Sequence, residues 1–459
     1  MSEQDLKLAF STLRAKHAPY SDLFSYYDGE QPLIYTAKRL NEIFKDLDAY
    51  FAENWCSVVI DAEQDRINLR SIQVDGPANK QWQDLWQASE INLESDDVHE
   101  AALVTGEGYF IAWPDGNNVI QGYHNDPRLV HLFYEYANPR VKRFAAKMWV
   151  NEDERMNLTL YYPDHLEYYE TTNKADNVSE ASSFIPSVVP VAANPFGEVP
   201  VFHYRMGRRK VKSDLRSVIP LQNGINKLLT DMMVTAEFMA FPQRYVISNA
   251  DVQGKLRNSP NEVWDLPAGD GMSQQTQAGQ FEAAKLDNYL RSIDSLATAI
   301  SSITRTPKHY FFQVGSNLSG EALIAMEAPL NKKAQDRIDR FEPVWKQVTQ
   351  FMLKASGMNV DSKKIMVNFD KPETVQPRTT AETRQMNVTA GVSLVTVWRE
   401  EGKTEEWIDQ ALKDQQAEEA RNQVSLAQSM LNSERQFNNG NDLANRNQEA
   451  SSQITSNGQ

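Results

Sequence analysis

Gly315 and Gly320 stand five residues apart in the stretch GSNLSGEA, and a run of helical character follows. That is the glycine spacing of the phosphate-cradling P-loop, G-x-x-x-x-G-K-[ST]. The chemistry of such a loop needs lysine after the second glycine to neutralise phosphate, and serine or threonine to hold magnesium. Glu321 and Ala322 occupy those places. A carboxylate there repels phosphate, so the stretch reads as a glycine-containing loop before a helix, with Ser319 as an N-cap candidate. The seven histidines (His17, His99, His124, His131, His165, His203 and His309) form no H-E-x-x-H or other ligand spacing. The single cysteine, Cys56, cannot build a thiolate zinc cluster, and its apolar setting, NWCSVVI, reads as core. No G-x-S-x-G elbow for a serine hydrolase is present. Asp96–Asp97 and Glu400–Glu401 read as solvated faces. Asp115-Gly-Asn-Asn118 lacks the distal ligands of a calcium loop and reads as a hairpin turn. The residues therefore nominate no catalytic, cofactor-binding or metal-binding group, and no cofactor is expected.

Two basic clusters remain. RMGRRKVK carries Arg205, Arg208, Arg209, Lys210 and Lys212. It reads as a solvated strand end or an inter-subunit surface, with a polyanion contact as the sharper alternative. NKKAQDRIDR, 331–340, alternates in sign and reads as an exposed or inter-subunit helix face. The whole chain carries a net charge of -15. A protein that grips nucleic acid through many phosphates usually shows a basic excess, so tight DNA binding over a large surface is not expected. Hydrophobic content of 41% supports a real core. No apolar window is long enough for a membrane span, the N-terminus shows no secretory pattern, and the lone cysteine fits a reducing compartment.

The elements behind these residues change character along the chain. Residues 5–17, 36–55 and 80–104 read as helices, with 58–74 extended or a short helix plus strand. From 106 to 170 the apolar period becomes two. GYFIAW, VIQGYH, LVHLFYEY, FAAKMWV, NLTLYY and LEYYET read as strands of one antiparallel meander. Residues 171–198 read as a loop, and VPVFHYR closes the sheet. Ser213 and Asp214 are N-cap candidates for a helix to about Ala240 whose stripe is Leu221, Ile225, Leu228 and Met232. A mixed segment, 242–280, contains strand-like QRYVIS and EVWDLP. A second helix over 281–303 shows Leu286, Leu290, Ile293 and Ile300 on one side. A long helical pattern over 319–356 contains Pro329 and Pro343, and each predicts a kink or break. KIMVNF is one more strand, 380–420 is helical, and the Asn/Gln-rich end is expected to be a mobile tail.

The order of parts and several long strings resemble tailed-bacteriophage portal proteins of the SPP1-type, gp6-like family. The strings are SDLRSVIPLQNGINKLLTDMMVTAEFMAFPQR (213–244) and ITRTPKHYF with GSNLSGEALIAMEAPLNKKAQ (303–335), with weaker support from NWCSVVID (54–61). The likeness covers roughly 20–415. It implies an α+β portal fold and a cyclic homo-oligomer, usually of twelve. The ring would stand at one capsid vertex and pass double-stranded DNA during packaging and ejection. It implies contacts with the terminase large subunit, head-tail connector proteins, and the major capsid and scaffolding proteins. No membrane is involved; the virion is the location, with assembly in the host cytoplasm. Mapped onto this chain, the wing is 1–212 and 321–375, the stem helices 213–241 and 281–304, and the clip 242–280. The tunnel-loop region is 305–320, with Gly315, Ser316, Asn317, Leu318, Ser319 and Gly320 at its centre. The crown is 376–420 and the tail 421–459. Lys285, Arg291 and Lys308 become candidates for positive groups facing DNA. The alternative is an enzyme of packaging or DNA processing, a motor ATPase or nuclease. It would need a complete P-loop or a carboxylate metal site, and the sequence offers neither.

Overall fold

The computed structural model describes residues 2–31, 53–207, 211–240, 244–247, 277–282, 285–312, 319–373, 377–400, 403, 407–425 and 428. The chain divides into two units, Met1–Thr374 and Val375–Gln459. The first holds mixed helices and antiparallel sheets, so the fold class is α+β.

Helix α1, Glu3–Asp28, starts where the Ser2 hydroxyl accepts from the Asp5 amide and ends at left-handed Gly29. It joins two cores. Leu6, Ala9, Phe10 and Leu13 recur at helical steps and pack with Phe144, Leu158 and Leu160 of a sheet. Tyr20, Leu23 and Tyr26 enter the main core. That sheet has five strands in the order β4 (Val130–Tyr134), β5 (Lys142–Val150), β6 (Arg155–Tyr161), β7 (His165–Lys174) and β8 (Phe184–Ala193). The predicted single meander is two sheets. Strands β2 (Glu107–Pro114), β3 (Ile120–Asn125) and β9 (Val201–Arg205) form a separate three-stranded sheet in the order β3-β2-β9. The stretch read as a loop over 171–198 contains β8. Pro186 and Pro190 obscured it, and they are tolerated because β8 is an edge strand. The Asp115 turn joins β2 to β3 as expected, its carboxylate accepting from the Asn117 amide at 2.8 Å and the Val119 amide at 2.9 Å.

Helix α2, Trp55–Gln64, is capped by the Asn54 side chain and leads into β1, Leu69–Val74. Cys56 is fully buried on it, and burial pushes the thiol up to about 12, so it behaves as a core group. The region read as one helix over 80–104 is two, α3 (Ala78–Ala88) and α4 (Ile91–Thr105), parted by left-handed Glu90. Gly106 ends α4 at φ 96°, and a Cβ there would lie 2.8 Å from the Lys212 carbonyl carbon. Only glycine suits both constraints.

Helix α5, Leu215–Ala240, and helix α6, Asp287–Thr304, pack side by side. Short strands β10 (Arg244–Ile247) and β11 (Gln277–Gln280) pair antiparallel between them. Residues 281–282 are not helical, so α6 begins later than the periodicity suggested. EVWDLP lies outside the described residues. Helix α7, Gly320–Ala355, is continuous over 36 residues and does not break at either proline. Its buried stripe of Ala334, Ile338, Phe341, Trp345, Val348 and Met352 keeps it in register with the main core, and Leu330 is buried ahead of them. Pro329 and Pro343 sit on its exposed side, where water can satisfy the carbonyls they leave without donors. Strand β12, Ile365–Phe369, returns to pair with β1, Ile72 opposite Val367. In the second unit, α8 (Pro377–Thr389), α9 (Leu394–Glu400) and a helix over 407–425 replace the single helical stretch read from sequence. Trp398 and Trp407 meet edge to face at 5.4 Å there.

Candidate functional site

The helix pair α5–α6 is held at its base by polar clamps. Gln222 is fully buried; it accepts from the Trp55 amide at 2.9 Å and donates to the Glu53 carbonyl at 2.6 Å and to Asn226 at 3.0 Å. The start of α2 is thus stitched to α5. Tyr26 of α1 donates to Asn223 at 2.9 Å. Trp55 then packs against Phe311 and Phe312, just after α6, at ring separations of 5.6 and 5.2 Å. Between the helices, Ile225 meets Ile293, Ala297 and Ile300 in the core, and a bond of 3.2 Å joins Thr235 and Tyr289 higher up. The exposed side of α6 carries Asp287, Arg291 and Asp294 beside Leu290 and Ile303, with Lys285 just before the helix.

Beneath the pair lies a buried four-charge cluster. Glu63 is fully buried, with Lys333 Nζ at 2.7 Å from one oxygen and Arg337 Nε at 2.8 Å from the other. Asp214, one residue before α5, lies 2.8 Å from Lys333 and 3.3 Å from Arg337. Burial alone would raise the Asp214 carboxyl; the charges of Lys333 and Arg337 outweigh it and hold it below the ordinary range. A second hub stands beside it. Arg66 donates to Asn331 and to Tyr310, each at 2.8 Å, and lies 3.4 Å from Glu327. His309 approaches the other Glu327 oxygen at 3.5 Å. These two hubs connect α2, the start of α5, the end of α6 and the front of α7. Two acids and two bases balance in the first, so it is a fastening between helices rather than an acid–base centre.

A third polar group is sealed between the sheets. Glu107 accepts from Tyr20 at 2.8 Å and from His203 at 3.0 Å, with Lys16 at 3.2 Å. Burial pushes its carboxyl upward, but the His203 hydrogen bond and the Lys16 charge hold it below the usual range. Among the described residues, no three His, Cys, Asp or Glu side chains converge as a metal site would require.

Residues 14–425 match the family described as phage portal protein, SPP1 Gp6-like. The chain belongs to that family. A portal protein of Mycobacterium phage D29 is 24% identical over 315 residues, and one of Mycobacterium phage L5 is 23% identical over 316. Each alignment covers 64% of this chain and 62% of the relative, so the matched part spans under two thirds of either relative's length.

In this portal-family chain the nominated residues fall in several places. Ile225, Ile293 and Ile300 are buried between the helices, and Leu221 and Leu228 pack partly against the same core. Met232 and Leu286 are partly exposed, and Leu290 is 54% exposed in the single chain. Lys285 and Arg291 are exposed, while Lys308 pairs with Asp294 at 2.7 Å. Arg205 lies over the Tyr134 ring at 4.7 Å, and Lys212 is exposed well apart from it in role, beside the Gly106 turn. Arg208, Arg209 and Lys210 lie outside the described residues, as do Gly315, Ser316, Asn317 and Leu318. Ser319 caps α7, accepting from the Ala322 amide at 3.2 Å, and Gly320 is the first helical residue.

The buried cluster was missed. The segment 331–340 was read as an exposed or inter-subunit helix face, yet Lys333 and Arg337 point inward, while the Lys332–Asp336 pair, Asp339 and Arg340 stay outside. The four-residue spacing of Lys333 and Arg337 was the available signal. Asp214, read as a cap, serves the cluster instead, while the Ser213 hydroxyl accepts from the Leu215 amide at 3.0 Å.

Proposed function

We propose that this chain is the subunit of a portal ring. Twelve copies would surround a channel at one capsid vertex, through which double-stranded DNA is packaged and later ejected. The family match over 14–425 carries this reading. On it, α5 and α6 are the stem, 242–280 the clip that meets the terminase and then the connector proteins, and 315–320 the loop projecting into the channel. The first unit supplies the wing, and the second the crown inside the capsid.

Two physical features support it. Leu290, Ile303 and Met233 on the helix pair stay 54%, 56% and 38% exposed in the single chain. Neighbours in a cyclic, head-to-tail assembly would cover them. The α6 face alternates acids and bases, and Lys308 is already paired. A lumen of that kind passes a polyanion without trapping it. Light scattering and negative-stain microscopy of the purified protein test the reading. Rings with a central hole are expected; monomers at all concentrations would overturn it. Measured ATPase or nuclease activity would favour a packaging enzyme instead.

A further inference from the structure

A cleft of about 490 Å³ opens between the end of β4, the start of β5, β9 and the exposed side of α7 near Pro343. Its charge is unusual for a chain with a net charge of -15. Arg140, Lys142, Arg205 and Arg340 line it, against one carboxylate, Asp339. Among the described residues none of the four cations forms an ion pair with a carboxylate, whereas Lys333, Arg337, Lys346 and Lys354 of α7 each do.

Two of the cations, Lys142 and Arg205, are also held in place. Lys142 Nζ donates to the Val201 carbonyl at 2.9 Å, lies 3.4 Å from the Val199 carbonyl, and stands 4.0 Å from the centre of the Phe202 ring. An ammonium group sunk this far with only carbonyls and a ring around it is poorly compensated. Arg205 Cζ stands over the Tyr134 ring, 4.7 Å from its centre, a contact that leaves the guanidinium N–H donors unused. Tyr134 is fixed in turn, its hydroxyl 3.3 Å from His203 Nδ1, while His203 Nε2 bonds Glu107. The Glu107 charge faces Lys16 and Tyr20, so it does not neutralise the cleft. Asp339 is engaged by Gln335 at 2.8 Å.

We propose that this cleft is a binding site for a small phosphate-type oxyanion, either inorganic phosphate or the phosphoryl group of a larger ligand. Three arginines, one of them stacked on Tyr134, and a recessed ammonium group line the cleft from four elements, and a tetrahedral dianion satisfies more of them than one carboxylate can. The volume falls within the ~300–1,000 Å³ of ordinary ligand pockets, leaving room beyond the phosphoryl group.

The probes are inorganic phosphate and pyrophosphate, titrated calorimetrically into the full-length protein at constant ionic strength, with chloride as the background anion. Saturable one-site binding is expected. Arg340→Gln changes an exposed residue, so folding is retained, and binding should weaken about tenfold. Arg205→Gln should act in the same direction. Burial lowers Lys142 to about 8, partly offset by Glu198, so the wild-type affinity should fall between pH 7.5 and 9. The other charged groups around it are Arg140, Arg205, Arg340 and Asp339, and burial lowers His203, which lines the same cleft. Lys142→Met should abolish that pH dependence. A duplex oligonucleotide tests the rival source: if DNA binds, phosphate does not, and Arg340→Gln weakens the DNA complex, the cleft is a nucleic-acid contact and the proposal fails. No saturable phosphate binding, or equal binding by wild type and both arginine variants, also overturns it.

Discussion

Replacing Glu63 by glutamine removes one charge from a cluster of four and leaves two cations facing Asp214 alone. Glu63 is fully buried, and Lys333 and Arg337 are only 9% and 14% exposed, so solvent screens the surplus charge weakly. Removing one partner of such a group costs about 3–5 kcal/mol. Lys333→Met should cost a similar amount, because it leaves two acids facing one arginine. The double variant restores neutrality: Arg337 and Asp214 remain as a pair at 3.3 Å. It should therefore lose only about 1–2 kcal/mol, less than either single variant, giving a coupling energy of several kcal/mol. For a unit of this size, roughly 1–2 °C of melting temperature accompanies each kcal/mol. The single variants should melt about 4–8 °C below wild type, with the double variant between them and wild type. Differential scanning fluorimetry, with far-UV circular dichroism as a second probe, reads this directly. Additive losses in the double variant, or single variants within ~1 °C of wild type, would refute the idea that the four charges act as one fastening.

Other outcomes follow from the same structure. His99 accepts from Trp345 Nε1 at 3.0 Å and stacks on Phe341 at 4.9 Å, and burial lowers it to about 3. The unfolded chain then binds a proton that the native state refuses between pH ~6.5 and ~3. Stability should fall as pH drops through that window, by at most about 4–5 kcal/mol, and melting curves of His99→Phe should show a shallower acid slope. Gln222→Ala strips the clamp from the Trp55 amide and the Glu53 carbonyl and should cost about 1–3 kcal/mol in urea unfolding. Gly106→Ala forces a side chain into left-handed backbone against Lys212 and should lower the melting temperature by several degrees, about 1–3 kcal/mol. Deleting 315–320 should leave rings intact in electron micrographs but impair DNA packaging or retention; loss of rings would mean that the segment is structural.

Much of this fold could be read from period alone. Strands β3 and β4 alternate over most of their length, whereas β2 buries six residues in a row, and the α6 stripe at Ile293, Ala297 and Ile300 is buried as the helical spacing required. Long-range pairing was not readable, because alternation identifies strands and not partners. The assignment of β9 to β2 rather than to the five-stranded sheet depends on α4 and α7 packing across the same face. The prolines misled in opposite ways. Pro186 and Pro190 hid an edge strand, while Pro329 and Pro343 suggested breaks in a helix whose other side is fastened by the core. Charge was the weakest guide. Lys333 and Arg337 look like surface residues until Glu63 and Asp214, distant in sequence, are brought to them. Arg140, Lys142, Arg205 and Arg340 likewise share no local pattern, and only the meeting of two sheets with α7 places them around one cleft.

Helix α7 has a mechanical consequence. From Ala334 onward its stripe is built into the core, and Glu327 is tied to Arg66 and His309, whereas Gly320 to Met326 are exposed or partly exposed. It is a beam with one end clamped, and about seven residues, or roughly 10 Å at helical rise, form the overhang. The Ala325 carbonyl sits where clamp meets overhang, and it lacks its helical donor because residue 329 is proline. A sideways load on the tip therefore concentrates its bending moment at the joint with the fewest backbone bonds. The tip can deflect there while the clamped portion and the charges that anchor it stay still.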